Sequence, residues 1–213
     1  MELDNELSYL AGVISGDGHI KKGIKHIGKD YSKDYGIMIY SNNNSFLEYV
    51  LLLIKRKVKT ITTIKPGKRS YYISIRNKEL HNVLSNIIGI PTGKKSDIIK
   101  IPKIIKNNKE YLKHFIAGFF DTDGGFKGNS IGFCSASNQI IDELITYLIR
   151  FKINSSKDKW INKKYNKEYY ALKIRKVDIA KFIETIPLKN KEKLDKIQNK
   201  FRQECRSGQT GWV

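Results

Sequence analysis

The segment FIAGFFDTDGG, residues 115–125, has helical spacing, yet it carries a glycine in its middle and closes on two carboxylates and two more glycines. An interior glycine costs a helix about 1 kcal/mol relative to alanine. Acidic side chains at a helix C-terminus face the negative end of the macrodipole, where cations are preferred. Both choices work against an isolated helix and so point to a packing or binding requirement. Leu112, Phe115, Ile116, Phe119 and Phe120 fall at i, i+3, i+4, i+7 and i+8, one apolar face. Asn107 with Glu110 three residues later fits a capping box, which predicts a helix starting near Lys109.

The same pattern occurs earlier in the chain. LAGVISGDG at 10–18 aligns with IAGFFDTDG at 116–124, and Asp17 and Asp123 lie 106 residues apart (123 − 17). The segments downstream of each copy agree as well. A strand-like pair comes first, GHIKKGIKHI and YGIMIYS against GGFKGN and SIGFCSAS. A helical run is next, NSFLEYVLLLIKRKV against NQIIDELITYLIRFKI. Two further strand candidates include RSYYISIR and EYYALKIRK, and ELHNVLSNII and VDIAKFIETI close the halves. The fold expected is α+β, a duplicated αββαββα unit with residues 1–100 as the first repeat and 101–213 as the second. The lysine-rich stretch 90–109, with two prolines, suits the link.

Small residues at one level of a helix let a second backbone come closer than the usual ~8–10 Å between axes. Ala11-Gly12 and Ala117-Gly118 therefore predict that the two motif helices pack on each other at a pseudo-two-fold axis. Their C-terminal ends would then meet, bringing Asp17 and Asp123 together, with Gly18 and Gly124 terminating the helices. Paired carboxylates at paired negative helix ends repel unless cations lie between them, which points to divalent metal. DTDGGF shares the start of a calcium-binding EF-hand loop, but Gly125, Phe126 and Gly132 occupy positions that loop needs for other residues. Asp121, matched by Ser15, is read as structural or secondary. The four histidines have no metal-site spacing, and Cys134 and Cys205 form neither a disulfide framework nor a metal site.

Lys plus Arg total 40 against 21 Asp plus Glu in 213 residues, a formal net charge of +19. Such an excess exceeds what solubility needs and favours a nucleic-acid partner. No apolar run approaches the ~20 residues that span a bilayer. The acidic start MELDNELSYL lacks a signal-peptide layout, so an intracellular location is expected, in the cytoplasm or nucleoid of a prokaryote or an organelle matrix.

The doubled motif in a basic chain resembles the LAGLIDADG homing endonucleases, specifically the single-chain members with two copies. LAGVISGDG keeps six of the nine motif letters and IAGFFDTDG five. The resemblance covers nearly the whole chain and implies a monomer in which each half lays a curved antiparallel sheet into the major groove of double-stranded DNA. It implies cleavage of both strands with Mg²⁺ (Mn²⁺ substituting) and short 3′ overhangs. Carried onto this chain, it makes Asp17 and Asp123 metal ligands beside the scissile phosphates, with backbone carbonyls from Gly16 and Thr122. It places a lysine near each site: Lys95, with Lys94 close by, in the first half, and Lys189 or Lys191 in the second. Ser41 and Ser135 stand where many relatives carry a glutamine or asparagine that organises water. Intron RNA is a further partner the family allows, since it includes RNA-splicing cofactors, and its non-cleaving nucleic-acid binders form the alternative function. The initial methionine and the lack of flanking splicing blocks favour an intron-encoded or free-standing protein.

Strand alternation selects DNA-facing candidates. Tyr72, Ser74 and Arg76 share one face of RSYYISIR, and Lys173 and Arg175 share a face opposite Leu172 and Ile174. Lys21, Lys22, Lys25, His26, Lys127, Lys159 and Lys164 are further candidates for phosphate or base contact. Trp160 is expected either to pack or to contact DNA, with packing the favoured reading.

Overall fold

The computed structural model describes residues 1–27, 30–164 and 166–206, with side chains for all of these but 24–27, 30–32 and 202–206. Helix α1 (Asn5–Ser15) starts where the Asp4 carboxylate accepts the Leu7 amide at 2.8 Å. Strand β1 (Gly18–Ile20) follows, then an antiparallel hairpin of β2 (Gly23–Ile27) and β3 (Asp30–Asp34). Next come β4 (Gly36–Ser41), α2 (Asn44–Lys57), β5 (Ile64–Pro66), β6 (Tyr71–Arg76) and α3 (Lys78–Asn82), which continues as a π-turn to Ile88. The connection between the halves contains the short α4 (Lys103–Lys106). The second half runs α5 (Lys109–Asp123), β7 (Gly124–Lys127), β8 (Ser130–Ser135), α6 (Asn138–Arg150), β9 (Ser155–Asn162), β10 (Lys167–Ile174), α7 (Ile179–Thr185) and α8 (Lys191–Arg206).

The duplication is visible in the sheets. One has strand order β1-β4-β6-β5 and the other β7-β8-β10-β9, with every neighbouring pair antiparallel. The β2–β3 hairpin breaks the symmetry and departs from the expectation that GHIKKGIKHI forms one strand-like piece. Gly23, at φ +79°, turns the chain there, and GIKHI and DYSKD carry too few apolar residues to signal strands of a core. The cap of α5 also differs from the expected one. Asn108, not Asn107, accepts the Glu110 and Tyr111 amides, at 2.9 and 3.1 Å.

The motif helices α1 and α5 pack side by side, and the reason for the glycines is direct. A Cβ on Gly12 would lie 2.1 Å from the Phe115 carbonyl oxygen and 2.8 Å from the Phe119 nitrogen. A Cβ on Gly118 would lie 2.1 Å from the Tyr9 oxygen and 2.9 Å from the Val13 nitrogen. Each of these partners is related to its counterpart by the same 106-residue offset that relates the two aspartates. The helix pair is thus a pseudo-two-fold contact of backbone on backbone.

Around it, Leu7, Leu10, Ile14, Ile37, Ile39 and Ile73 are wholly buried in the first half, and Phe115, Phe119, Phe120, Phe133 and Phe182 in the second. One face of each sheet joins this core and the other stays open. Register places Tyr40 beside Tyr72 on the open face of the first sheet, ring centroids 6.0 Å apart, and Trp160 beside Tyr169 on the second, stacked at 5.8 Å. Trp160 therefore packs on one tyrosine while remaining 42% exposed, outside the core.

Candidate active site

The ends of α1 and α5 converge. α1 stops at Ser15 with Gly16 as its C-cap, the Gly16 amide donating to Gly12 at 3.1 Å, whereas α5 runs through Asp123 to Gly124. Gly18 begins β1, and neither it nor Gly124 takes a left-handed conformation. Their role is close approach: a Cβ on Gly18 would meet Ile14 Cα at 2.5 Å, and one on Gly124 would meet the Phe120 ring at 2.3 Å. The expectation that both glycines terminate helices holds for Gly124, the C-cap of α5, and is corrected for Gly18, because Gly16 caps α1. Across the axis, a Cβ on Gly16 would lie 2.1 Å from Thr122 Oγ1 and 3.3 Å from Asp123 Cγ, so the two helix ends touch.

Two lysines close over these ends. Lys95 follows the π-turn on a loop tied to β1 by the Gly93 amide on the Ile20 carbonyl at 2.7 Å. Its Nζ donates to the Ser15 and Gly16 carbonyls at 2.5 and 2.7 Å. In the second half Lys193, on α8, donates to the Asp121 and Thr122 carbonyls at 3.0 and 3.1 Å, and to those of Phe120 and Gly124 at 2.9 and 2.7 Å. Ser15 and Gly16 correspond to Asp121 and Thr122 by the same offset, so the two ammoniums occupy equivalent places.

Lys189, the residue expected there, does not enter. Its backbone amide donates to Asp121 at 2.7 Å, and its ammonium adds to the burial that lowers the His114 pKa. Lys191 and Lys94 are exposed. Lys193 had a signal in the sequence: it lies on the same helical stripe as the buried Ile197 and Phe201, at i, i+4 and i+8, and a lysine on an apolar stripe needs a partner.

The electrostatics result from crowding charges at two negative helix ends. Burial, then the neighbouring Asp17 carboxylate, push Asp123 up to about 7, against the opposing pull of Lys95, Lys193 and Lys127. Asp17 is open to solvent at the mouth of a cleft, yet protein stands on most sides of its carboxyl. That partial desolvation raises its pKa, against Lys193 and then Lys95. Burial brings Lys95 down to about 8, against Asp123 and then Asp17, and burial lowers Lys193 as well. The order of these influences is crossed: Asp17 feels the second-half lysine more, and Asp123 the first-half lysine. Both ammoniums thus act on both carboxylates, while each is hydrogen-bonded to the helix end of its own half.

The cleft beside Asp17 has a volume of about 380 Å³ and is lined by Ser41, Asn43, Asp121, Thr122, Asn190 and Lys193 among others. At ~30 Å³ per water that is room for roughly a dozen waters, enough for a phosphate group and its hydration. Ser41 and Ser135 accept the amides two residues on, Asn43 and Ser137, each at 3.1 Å, at the entries to α2 and α6. Ser41 reaches the cleft with its hydroxyl proton still to donate.

A divalent cation fits this donor set. Among the described residues no group of three or more His, Cys, Asp or Glu converges. Two carboxylates and the Gly16 and Thr122 carbonyls are hard oxygens that suit Mg²⁺ or Mn²⁺, the remaining positions falling to water or phosphate. The ammonium bonded to each of those carbonyls shows that both are acceptors oriented for a cation.

The other candidates divide. Tyr72, Ser74 and Arg76 lie on the open face of β6, and Lys173 on that of β10 beside Asp158, with Nζ to carboxylate at 3.0 Å. Arg175 is exposed just past β10, Lys127 ends β7 near Asp123, and Lys164 lies in the β9–β10 turn. Lys21 and Arg76 both face Asp34, at 2.8 and 3.7 Å, and Lys22 lies against Gly93. Lys159 alternates onto the other face of β9, sharing it with Lys157, whose ammonium pairs with Asp142 on α6. It is therefore not brought to the face that Lys173 occupies. The side chains of Lys25 and His26 lie outside the described residues.

The fold and these centres define a class: a two-repeat α+β protein whose twinned helices carry acidic ends between two open antiparallel sheets. Residues 110–187 match the family described as LAGLIDADG-like domain. The structure is similar to that of the homing endonuclease I-DmoI in complex with DNA and Mn, with a TM-score of 0.67 and 20% identity, over 85% of this chain and 96% of that one. That likeness is one of fold. The chain is 36% identical over 172 residues to a probable translation initiation factor IF-2 of Methanocaldococcus jannaschii, covering 78% of this chain and 13% of the relative. It is 28% identical over 200 residues to a replication factor C small subunit of the same organism, covering 92% and 10%. The chain thus spans about a tenth of the length of these curated relatives. The second repeat thus carries a LAGLIDADG-like domain, and the chain as a whole has the fold seen in the homing endonuclease I-DmoI.

Proposed function

We propose that the chain is a divalent-metal-dependent endonuclease that hydrolyses both strands of a long double-stranded DNA target. The observation that carries this reading is the twinning itself: two carboxylate–ammonium centres side by side on a pseudo-two-fold axis, between two open sheet faces. DNA has a matching local two-fold. Centres this close reach one phosphate on each strand only across the minor groove, ~6 Å wide. Short 3′ overhangs are the outcome that the resemblance to the LAGLIDADG homing endonucleases implies for such a cut.

Asp17 and Asp123, with the carbonyls of Gly16 and Thr122, would hold Mg²⁺, and Mn²⁺ would serve in its place. Bound there, a divalent cation supplies Lewis-acid charge at the phosphate. Lys95 and Lys193 place positive charge where the phosphorane becomes more anionic. The Ser41 hydroxyl donates to water in the cleft. The open faces, with Tyr72, Ser74 and Arg76 on one side and Lys173 on the other, hold the flanking duplex, and the +19 net charge draws it in. The protein acts as a monomer, because both centres are complete within one chain.

Cleavage of a randomised duplex library with Mg²⁺ tests this, with Asp17→Asn and Asp123→Asn alongside. Discrete double-strand cuts that either substitution abolishes are expected. Tight, salt-sensitive binding without cutting by all three proteins would refute the reading in favour of a non-cleaving binder, with intron RNA the next ligand to try.

A further inference from the structure

Asp121 has no acidic counterpart, since Ser15 stands at its place in the first half. It is 2% exposed, and its bonds leave its own helix, one crossing to Tyr9 on α1 and the rest reaching the segment that leads into α8. Oδ2 accepts the Tyr9 hydroxyl at 2.6 Å, the Lys189 amide at 2.7 Å and the Asn190 amide at 3.1 Å. Its backbone carbonyl accepts Asn190 Nδ2 at 3.2 Å and Lys193 Nζ at 3.0 Å. Asn190 in turn caps α8, its Oδ1 accepting the Lys193 amide at 3.2 Å and its carbonyl the Leu194 amide at 3.0 Å. A continuous set of bonds therefore runs from Asp121 through Asn190 to the first turn of α8 and Lys193. Among the described residues Lys95 has no such carboxylate, and its loop is tied to β1 by the Gly93 amide.

We infer that Asp121 is a positioning residue for Lys193, so that the two centres are set by different devices and can be uncoupled strand by strand. A buried aspartate that served only stability would, when replaced, weaken both centres alike, because they share one helix pair. A positioning aspartate affects one strand. Misplacement of a catalytic group by about 1 Å costs on the order of 100-fold in rate.

The activity readout rests on the endonuclease reading, so a second readout is included that does not. Asp121→Ser installs the residue that the first half carries, and Asn190→Ala breaks the same relay without touching α5, should Asp121→Ser fail to fold. On a target recovered from the duplex library, with each strand labelled separately, either variant is expected to slow the strand that Lys193→Met slows, by 10-fold or more, and to leave nicked duplex. Asp121→Asn keeps a carbonyl oxygen for the same donors and restores the rate, and adding Asp121→Ser to Lys193→Met brings no further loss on that strand. Equal slowing of both strands, or no slowing, overturns the inference. If the unmodified chain cuts no duplex, the endonuclease reading falls and hydrogen exchange of the free protein decides. Faster exchange at amides 189–194 in Asp121→Ser, with α1 and α5 unchanged, supports the positioning role, and unchanged exchange there overturns it.

Discussion

Replacing Gly12 by alanine tests the helix contact on which the site rests. In isolation the change favours a helix by about 1 kcal/mol. Here the new Cβ would lie 2.1 Å from a backbone oxygen, where ordinary contact begins near 3.4 Å. No side-chain rotation relieves a clash with backbone, so the axes must part by roughly 1 Å, a gap that forfeits a quarter to a half of the dispersion energy of each contact it opens. Overpacking of this kind costs about 1–3 kcal/mol and more against rigid backbone. We expect a net loss of about 3 kcal/mol for Gly12→Ala, and a similar loss for Gly118→Ala, which faces the Tyr9 oxygen at the same distance. One separation relieves both clashes, so the double variant should lose clearly less than the two single losses combined. Urea denaturation followed by far-UV circular dichroism measures all three. A single variant within about 1 kcal/mol of the unmodified chain, or additive losses in the double, would refute the argument.

Asp123→Asn should stabilise the metal-free protein more at pH 8 than at pH 5. The native carboxyl, at about 7, binds its proton more tightly than the unfolded one, so its stabilising proton is fully present below about pH 4 and lost as pH rises toward 7. The advantage of the asparagine variant should grow by roughly 2 kcal/mol over that interval, as read from urea melts in chelator. A gap independent of pH would show that burial and the Asp17 charge do not raise the Asp123 carboxyl. Lys95→Met should lower single-turnover cleavage by about 100-fold or more while leaving duplex affinity nearly unchanged in a gel-shift titration. Loss of affinity alone would reassign Lys95 to DNA binding. Lys173→Ala should weaken duplex binding and reduce the slope of log affinity against log salt by about one. An unchanged slope would take its ammonium off the phosphates.

Much of this architecture was legible because the motif repeats at one fixed offset. That offset alone pairs Gly12 with Gly118 and Asp17 with Asp123, and glycine at a helix contact admits few explanations. The β2–β3 hairpin was not legible, because its residues bury too little apolar surface to leave a periodic signal. Lys95 could be placed, since it follows the first repeat at the connection. Lys193 is hard to tell from Lys189 in the sequence because lysines crowd that stretch, and only the phase of α8 distinguishes the one that points inward. The link from Asp121 to α8 was hidden for another reason: the groups that make it on Oδ2 are backbone amides 68 and 69 residues away, and backbone leaves no mark on sequence.

The ammoniums of Lys95 and Lys193 also bear on how the protein is made. Each fills the place where an external ion would otherwise be needed to quiet a helix end, so the chain carries its own counter-ions. In a zinc finger the metal is part of the folding free energy, and the apoprotein is unfolded. Here the counter-charge at those helix ends belongs to the polypeptide itself, so the contacts that close them are made by the chain's own lysines.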